Sequence, residues 1–319
     1  MIVRWGLDGI GRLLEELGIR RALLVTSERL ARLDLPVGGR FTECRPHVPL
    51  DVVSKATRAS SGADGLLAVG GGSVIDTGKA VSAATGLPLV AVPTTYAGAE
   101  WTPFYGMRDE VRRLKTGGSG ATVVAILYEP ELTLELPRGE SVGTALNALA
   151  HCAEALYTGP CDDASRGAEL VARWLEPVVA EPRNLEARTG LLEGAMHAGM
   201  ALAERGLFLA HAMAQALGGR YGVAHGAMNA LCLAPALRFN EEAVPDAVAA
   251  LAAALRTDDA AAEVERLAAL GGFGRLRDVG VPVGELAEVA AETAARPGAR
   301  ANPRPASAAD VEVLLRSIW

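Results

Sequence analysis

Two histidines fourteen positions apart, His211 and His225, lie in Phe208–Leu233, FLAHAMAQALGGRYGVAHGAMNALCL. Upstream, Asn147 and His151 stand at i and i+4 in LNALAHCAEALY. On a helix that spacing puts both side chains on one face, one turn apart. Three imidazoles and an amide meeting between helices would suit a divalent metal or a proton-handling site. The plainer alternative is a set of ordinary histidines packed on alanine-rich helices. Spacing alone does not choose between them, so the elements that must position these residues carry the decision.

A second chemical feature is the run Gly70-Gly71-Gly72-Ser73, which follows the apolar stretch Asp64–Val69 and precedes a helical segment, Val74–Ala84. A strand closed by glycines lets backbone approach a ligand, and the next helix offers free N–H groups and the positive end of its dipole. That combination suits a pyrophosphate. The pattern is not G-x-G-x-x-G, and Ser73 and Asp76 serve equally well as helix caps.

The first half of the chain alternates apolar strands with helices. Strands are predicted at Arg21–Thr26, Asp64–Val69, Leu87–Val92 and Val123–Tyr128, with helices at Ile10–Leu17, after Val48, and over Val74–Ala84. Such alternation implies an α/β domain built on a parallel sheet. After Leu134-Glu-Leu-Pro137 the β-type runs stop and helical periodicity takes over. Helices are predicted at Ser141–Tyr157, Ser165–Val179, Leu185–Gln215, Met228–Leu237, Ala243–Leu255, Asp259–Leu270, Val283–Ala295 and Ala308–Ile318. The expected organisation is a dinucleotide-binding α/β domain over residues 1–137 and an all-α domain over residues 138–319 that carries the histidines.

The chain has 319 residues, 50% hydrophobic and 22% charged, which is the balance of a folded globular protein. Its net charge of −7 and the lack of a Lys/Arg cluster argue against nucleic acid as a partner. A local basic pocket for a small anion remains compatible with that charge. No apolar run is long enough to suggest a membrane span. The first residues, MIVRWGLDGIGRLLEELG, meet glycines and acids too early for a signal peptide. Cys44, Cys152, Cys161 and Cys232 show no CxxC spacing and read as reduced thiols, so the cytoplasm is the expected compartment.

Taken together these segments resemble the iron-containing alcohol dehydrogenase superfamily, whose fold is also that of dehydroquinate synthase-like proteins, and within it the maleylacetate reductases. The resemblance rests on HVPL (His47–Leu50), GGGSVIDTGKAV (Gly70–Val81), PTTYAGAEWTPFYG (Pro93–Gly106) and LYEPELTLELP (Leu127–Pro137). It continues through NALAHCAEALY (Asn147–Tyr157), HAMAQALGGRYGVAHG (His211–Gly226) and NPRP (Asn302–Pro305). It implies NADH or NADPH as cofactor, with Gly71, Gly72, Ser73 and Asp76 at the phosphates and ribose. Thr94, Thr95 and Thr102 fall on the nicotinamide side, and Lys115 where the family carries a cofactor-facing lysine. It also implies a homodimer.

Three departures bear on chemistry. Many members carry aspartate after the first strand, where this chain has Val25-Thr26-Ser27 with Arg29 nearby. Losing that carboxylate removes repulsion of a 2′-phosphate, so NADPH is expected beside NADH, with Ser27 facing the ribose. Metal-dependent members use an aspartate and three histidines at the positions of Asn147, His151, His211 and His225. The amide at Asn147 matches the maleylacetate reductases and weakens the set as a zinc or iron site. Gln215 stands where the family usually has histidine, and glutamine cannot relay a proton by changing charge.

The implied reaction is NAD(P)H-dependent reduction of 2-maleylacetate to 3-oxoadipate, a step of aromatic-compound degradation. His151, His211 and His225 are the expected catalytic groups, with Tyr96 as a candidate partner for the substrate, a small anionic dicarboxylate. Arg220 and Arg304 are possible carboxylate partners, but a surface or packing role is the commoner fate of such arginines. His47, in a loop-like HVP segment, reads as structural, and His197, on the predicted helix Leu185–Gln215, reads as a helix-packing residue. Competing expectations are a metal-dependent alcohol or aldehyde oxidoreductase, a biosynthetic reductase of another keto or unsaturated acid, and a non-catalytic nucleotide-binding relative.

Overall fold

The structure, a computed structural model, describes residues 1–319. It divides into two compact units, Met1–Thr133 and Leu134–Trp319. The first unit holds eight strands: β1 Ile2–Trp5, β2 Ala22–Thr26, β3 Gly39–Phe41, β4 Gly65–Gly70, β5 Leu89–Pro93, β6 Tyr105–Asp109, β7 Leu114–Gly118 and β8 Val123–Tyr128. Its helices are α1 Ile10–Glu16, α2 Leu50–Ala59 and α3 Gly72–Thr85.

Six strands form one parallel sheet in the order β1-β8-β5-β4-β2-β3. β2, β4 and β5 are buried along their whole length, which explains why they read as continuous apolar runs instead of alternating ones. One sheet face packs Leu24, Leu67, Val90 and Leu127 against α1, and the other packs Leu66, Ala68 and Ala91 with Val74, Ile75 and Val81 of α3. The chain leaves β2 for β3 on one side and returns to β4 on the other. The crevice at the carboxyl ends of β2 and β4 is therefore a topological switch point, the usual ligand position in open α/β sheets.

The second unit is helical: α4 Arg138–Leu156, α5 Asp162–Ala180, α6 Leu185–Arg205, α7 Leu209–Tyr221, α8 His225–Asn240, α9 Pro245–Leu255, α10 Ala260–Leu270, α11 Leu286–Ala294, α12 Pro297–Arg300 and α13 Ala308–Ser317. No helix is long and apolar enough to cross a membrane. α4 is buried on nearly every side, as its alanine-rich composition allows. It packs against α5, α6 and α8.

The structure departs from the sequence expectations in three places. The predicted helix Leu185–Gln215 is two helices, α6 and α7, because Gly206 takes φ 88 and ends the first. β1 and β3 are short edge strands that the apolar pattern did not announce. β6 and β7 form a separate two-stranded antiparallel hairpin, and its glycines and charges hide the alternation.

Candidate active site

In the α/β unit the expected cofactor residues gather at the carboxyl ends of the strands. Gly71 caps α3 in extended backbone, with Gly72 and Ser73 in the helix's first turn. The first-turn N–H groups of a helix have no partner within it. Pairing of Gly70 with Pro93 brings Thr94 and Thr95 alongside. A Cβ on Gly71 would lie 2.9 Å from Thr95 Cγ2, so the cradle is open only because residue 71 is glycine. The Thr94 and Thr95 hydroxyls are buried without a hydrogen-bond partner. Orphaned donors beside a helix N-terminus are what an absent phosphorylated ligand would leave behind. These residues fit a dinucleotide.

Ser27 follows β2, whose Thr26 pairs with Val69, and so stands beside the same turn. Ser73 Oγ accepts from the backbone N–H of His47 at 3.1 Å. His47 and Val48 both have positive φ, 65° and 54°, a conformation that costs energy for side chains with a Cβ. Asp76 is already engaged, with Lys79 Nζ at 2.7 Å and with the Gly106 N–H at 2.9 Å. Lys79, almost fully buried, also donates to the carbonyls of Ala99 and Phe104. α3 thereby pins the segment that carries Thr102, which is buried. Lys115 lies on β7 opposite Arg108, and both its Nζ and Asp76 Oδ2 stand near the Cα hydrogens of Gly106. Tyr96 is fully buried.

Beneath these residues lies a buried network. Trp101 Nε1 donates to Tyr128 Oη at 2.8 Å, and Tyr128 Oη donates to Glu100 Oε1 at 2.9 Å. Burial pushes the Glu100 carboxyl up, against the pull of its own backbone, of Tyr128 and of Lys79.

In the helical unit the structure brings all three sequence-predicted histidines and Asn147 together. The rings of His151 and His211 stack with centroids 4.7 Å apart and planes 11° from parallel, and His225 lies 5.7 Å from His211. Asn147, His151 and His211 are nearly fully buried. Burial, followed by the adjacent His211 ring, holds His151 well below the usual imidazole range, so that ring is neutral at neutral pH. His151 Nδ1 and His211 Nε2 are buried without a partner.

Two residues that the sequence reading passed over organise the cluster. Glu154, one turn beyond His151 on α4, is fully buried and accepts His211 Nδ1–H at 2.7 Å. It also accepts the backbone N–H groups of Phe208 at 2.8 Å and His211 at 3.2 Å, so it caps α7 and orients its histidine together. Asn229, fully buried on α8, donates Nδ2–H to Asn147 Oδ1 at 2.6 Å and lies 3.1 Å from His225 Nε2. Both look like ordinary helix residues in the sequence, and only their long-range partners reveal them.

As a metal site the quartet is compromised. Two of its four donor atoms, Asn147 Oδ1 and His225 Nε2, are turned to Asn229 Nδ2. No group of three or more His, Cys, Asp or Glu side chains is arranged to hold a metal ion. The cluster remains suited to offering hydrogen-bonding atoms to a reacting oxygen.

Arg220, Arg304, His197 and Gln215 have partners within the protein. Arg220 bonds Glu285 at 2.8 Å and Glu292 at 3.0 Å, and also Glu288. Arg304 lies over the Phe239 ring and 3.9 Å from Asp310. His197 Nδ1 stands 2.7 Å from Asp163 Oδ1, joining α6 to α5. Gln215 Oε1 accepts from Arg296 Nη1 at 3.2 Å.

Comparison with known proteins agrees with this geometry. Residues 4–128 match the iron-containing alcohol dehydrogenase family, and residues 141–319 match the C-terminal part of the Fe-containing alcohol dehydrogenase family. The chain is 38% identical over 301 residues to a maleylacetate reductase of Pseudomonas knackmussii, a match covering 88% of this chain and 83% of that one. It is 34% identical over 324 residues to maleylacetate reductase 1 of Rhodococcus opacus, covering 96% and 89%. The crystal structure of maleylacetate reductase from Rhizobium sp. strain MTP-10005 superposes with a TM-score of 0.90 at 32% identity, covering 100% of this chain and 95% of that one.

Proposed function

The chain belongs to the iron-containing alcohol dehydrogenase family, and from that premise we propose that it is an NAD(P)H-dependent oxidoreductase that reduces 2-maleylacetate to 3-oxoadipate. The observation that carries the reading is the buried cluster of His151, His211 and His225 with an amide, Asn147, in place of a carboxylate. The curated relatives that match most of the chain are maleylacetate reductases.

The substrate's double bond is conjugated to a ketone. Hydride added to the carbon β to that ketone pushes the electron pair onto the ketone oxygen, and a proton then reaches the α carbon to complete 3-oxoadipate. A bound NADH or NADPH supplies the hydride. Gly71, Gly72, Ser73, Thr94 and Thr95 are the residues that would hold it, and Ser27 in place of an acidic residue admits either cofactor.

The remaining work belongs to the side chains. The oxygen that gathers negative charge requires hydrogen-bond donors fixed in place beforehand. Glu154 holds His211 through Nδ1, which leaves Nε2 as the atom offered to the substrate. A ring held in this way presents Nε2 to the reacting oxygen, where a proton can pass. The neutral His151 ring stacked on it excludes water from the same face. The family implies zinc or iron here, but in this chain Asn147 Oδ1 and His225 Nε2 are turned to Asn229.

The test mixes purified protein with NADH and fresh maleylacetate and follows loss of the reduced cofactor, with His211→Ala and His225→Ala in parallel. Rapid oxidation by the wild type, with kcat down about a hundredfold in the variants, is the expected result. Near-normal kcat in both folded variants would remove the cluster from the mechanism. A wild type inactive on maleylacetate but active on simple alcohols, and inhibited by chelator, would replace the reaction with a metal-dependent alcohol oxidation.

A further inference from the structure

In the helical unit Arg296 is a half-buried cation that bonds to no carboxylate of the protein. Arg296, immediately before α12, donates Nη1–H to Gln215 Oε1 at 3.2 Å, and its Nε is buried without a hydrogen-bond partner. Burial pulls the guanidinium below its usual range, and the charge of Glu292 opposes this without contact. Nearby Arg220 shows the contrast, since Glu285, Glu288 and Glu292 all bond to it and occupy its donors. A partly desolvated guanidinium with a buried, open Nε–H is poorly satisfied by the protein alone. Its planar fork matches a carboxylate.

Gln215 connects this cation to the chemistry. It stands four residues after His211 on α7, on the same helical face and about 6 Å away between Cβ atoms. A substrate whose reacting oxygen meets His211 Nε2 would carry its next polar group toward Gln215 and Arg296. In 2-maleylacetate one carboxylate lies a single methylene from the ketone, a span that this spacing can accommodate.

We propose that Arg296, held in place by Gln215, is the carboxylate-binding residue of this site and takes the carboxylate one methylene from the substrate's ketone. The proposal rests on the reduction of maleylacetate argued above. It also gives Gln215 a task where related chains usually carry histidine: an amide oxygen accepts from the guanidinium at any pH and directs its remaining N–H groups.

The test separates KM from kcat on two substrates. Arg296→Met should raise KM for maleylacetate about a hundredfold, the cost of truncating one partner of a buried charge pair, with kcat nearly unchanged. Arg296→Lys keeps the charge without the fork and should fall between wild type and Arg296→Met. On 4-oxopent-2-enoate, which lacks the carboxylate in question, wild type and Arg296→Met should agree within about threefold. Equal losses on both substrates, or an unchanged KM for maleylacetate, would overturn the assignment. Calorimetric binding of 3-oxoadipate to wild type and Arg296→Met needs no turnover. If the wild type does not reduce maleylacetate, binding that is lost on Arg296→Met upholds the subsite while the reaction falls. Binding indifferent to Arg296 overturns the subsite whatever the reaction.

Discussion

Replacing Glu154 by glutamine keeps the shape of the side chain and removes one acceptor oxygen and the charge. In the wild type one carboxylate oxygen accepts both Phe208 N–H and His211 Nδ1–H, and the other accepts His211 N–H. The amide has one oxygen for these three donors. Its better orientation puts that oxygen on the doubly bonded side, so the NH2 group confronts the backbone N–H of His211. One hydrogen bond is lost and a buried donor is left unmatched, at about 1–3 kcal/mol, and the remaining bonds lose their charge assistance. A total near 3 kcal/mol corresponds to a fall in Tm of about 6–12 °C for a unit the size of residues 134–319. The ring keeps an Nδ1 partner but loses its charge-assisted bond to a carboxylate. That loss, about 1.5–3 kcal/mol, lowers kcat by roughly ten- to a hundredfold. Glu154→Leu removes the tautomer control too and should fall further. The assays are a thermal melt followed by circular dichroism and initial rates with NADH and maleylacetate, with NADH binding by fluorescence as control. A Glu154→Gln protein with wild-type kcat and a Tm within about 2 °C of wild type would show that Glu154 holds neither the helix nor the ring.

Other expectations concern the α/β unit. Gly71→Ala places a methyl 2.9 Å from Thr95 Cγ2 and should weaken NADH binding about tenfold in a fluorescence titration, with little loss of fold; unchanged affinity would mean that the cofactor does not use this cradle. Ser27→Asp restores a carboxylate beside the switch point. It should lower kcat/KM for NADPH at least about a hundredfold relative to NADH, and equal losses for both cofactors would count against Ser27 facing the ribose. Burial raises the Glu100 carboxyl above its unfolded value, so its contribution to stability is fully present below about pH 4.5 and is lost as pH rises through the raised value. Glu100→Gln, which retains an oxygen for Tyr128, should therefore gain Tm relative to wild type between pH 5 and pH 8; a constant difference over that range would refute the sign.

What the sequence disclosed followed burial. β2, β4 and β5 are buried on both faces and announced themselves as apolar runs, and the glycine turn after β4 was visible for the same local reason. β3 is three residues long, Gly39-Arg40-Phe41, and its place in the sheet comes from pairing with β2, which no local pattern encodes. The break between α6 and α7 was legible in principle, because Gly206 directly follows a last-turn Arg205, a common helix-stop pattern. The histidine constellation was found from spacing and resemblance. Glu154, Asn229 and Arg296 were not, since each acquires its role from partners 54 to 82 positions away. Arg220 and Arg304 drew attention as cations near the motifs, yet the structure spends them on carboxylates and a ring of the protein's own.

The pairing of β1 with β8 bears on how the chain is made. Ile2 lies opposite Ala125 and Trp5 opposite Tyr128, so this strand finds its neighbour only after more than a hundred further residues have been added. During translation β1 must wait, its backbone unpaired, while β2, β4 and β5 emerge and pair among themselves. Closing that gap late carries the entropy of a long loop and belongs to the slow part of folding. Residues 2–5 then join the sheet late, and a nascent chain halted before Val123 would hold a four-strand intermediate, β5-β4-β2-β3, with one side of β5 exposed to chaperones.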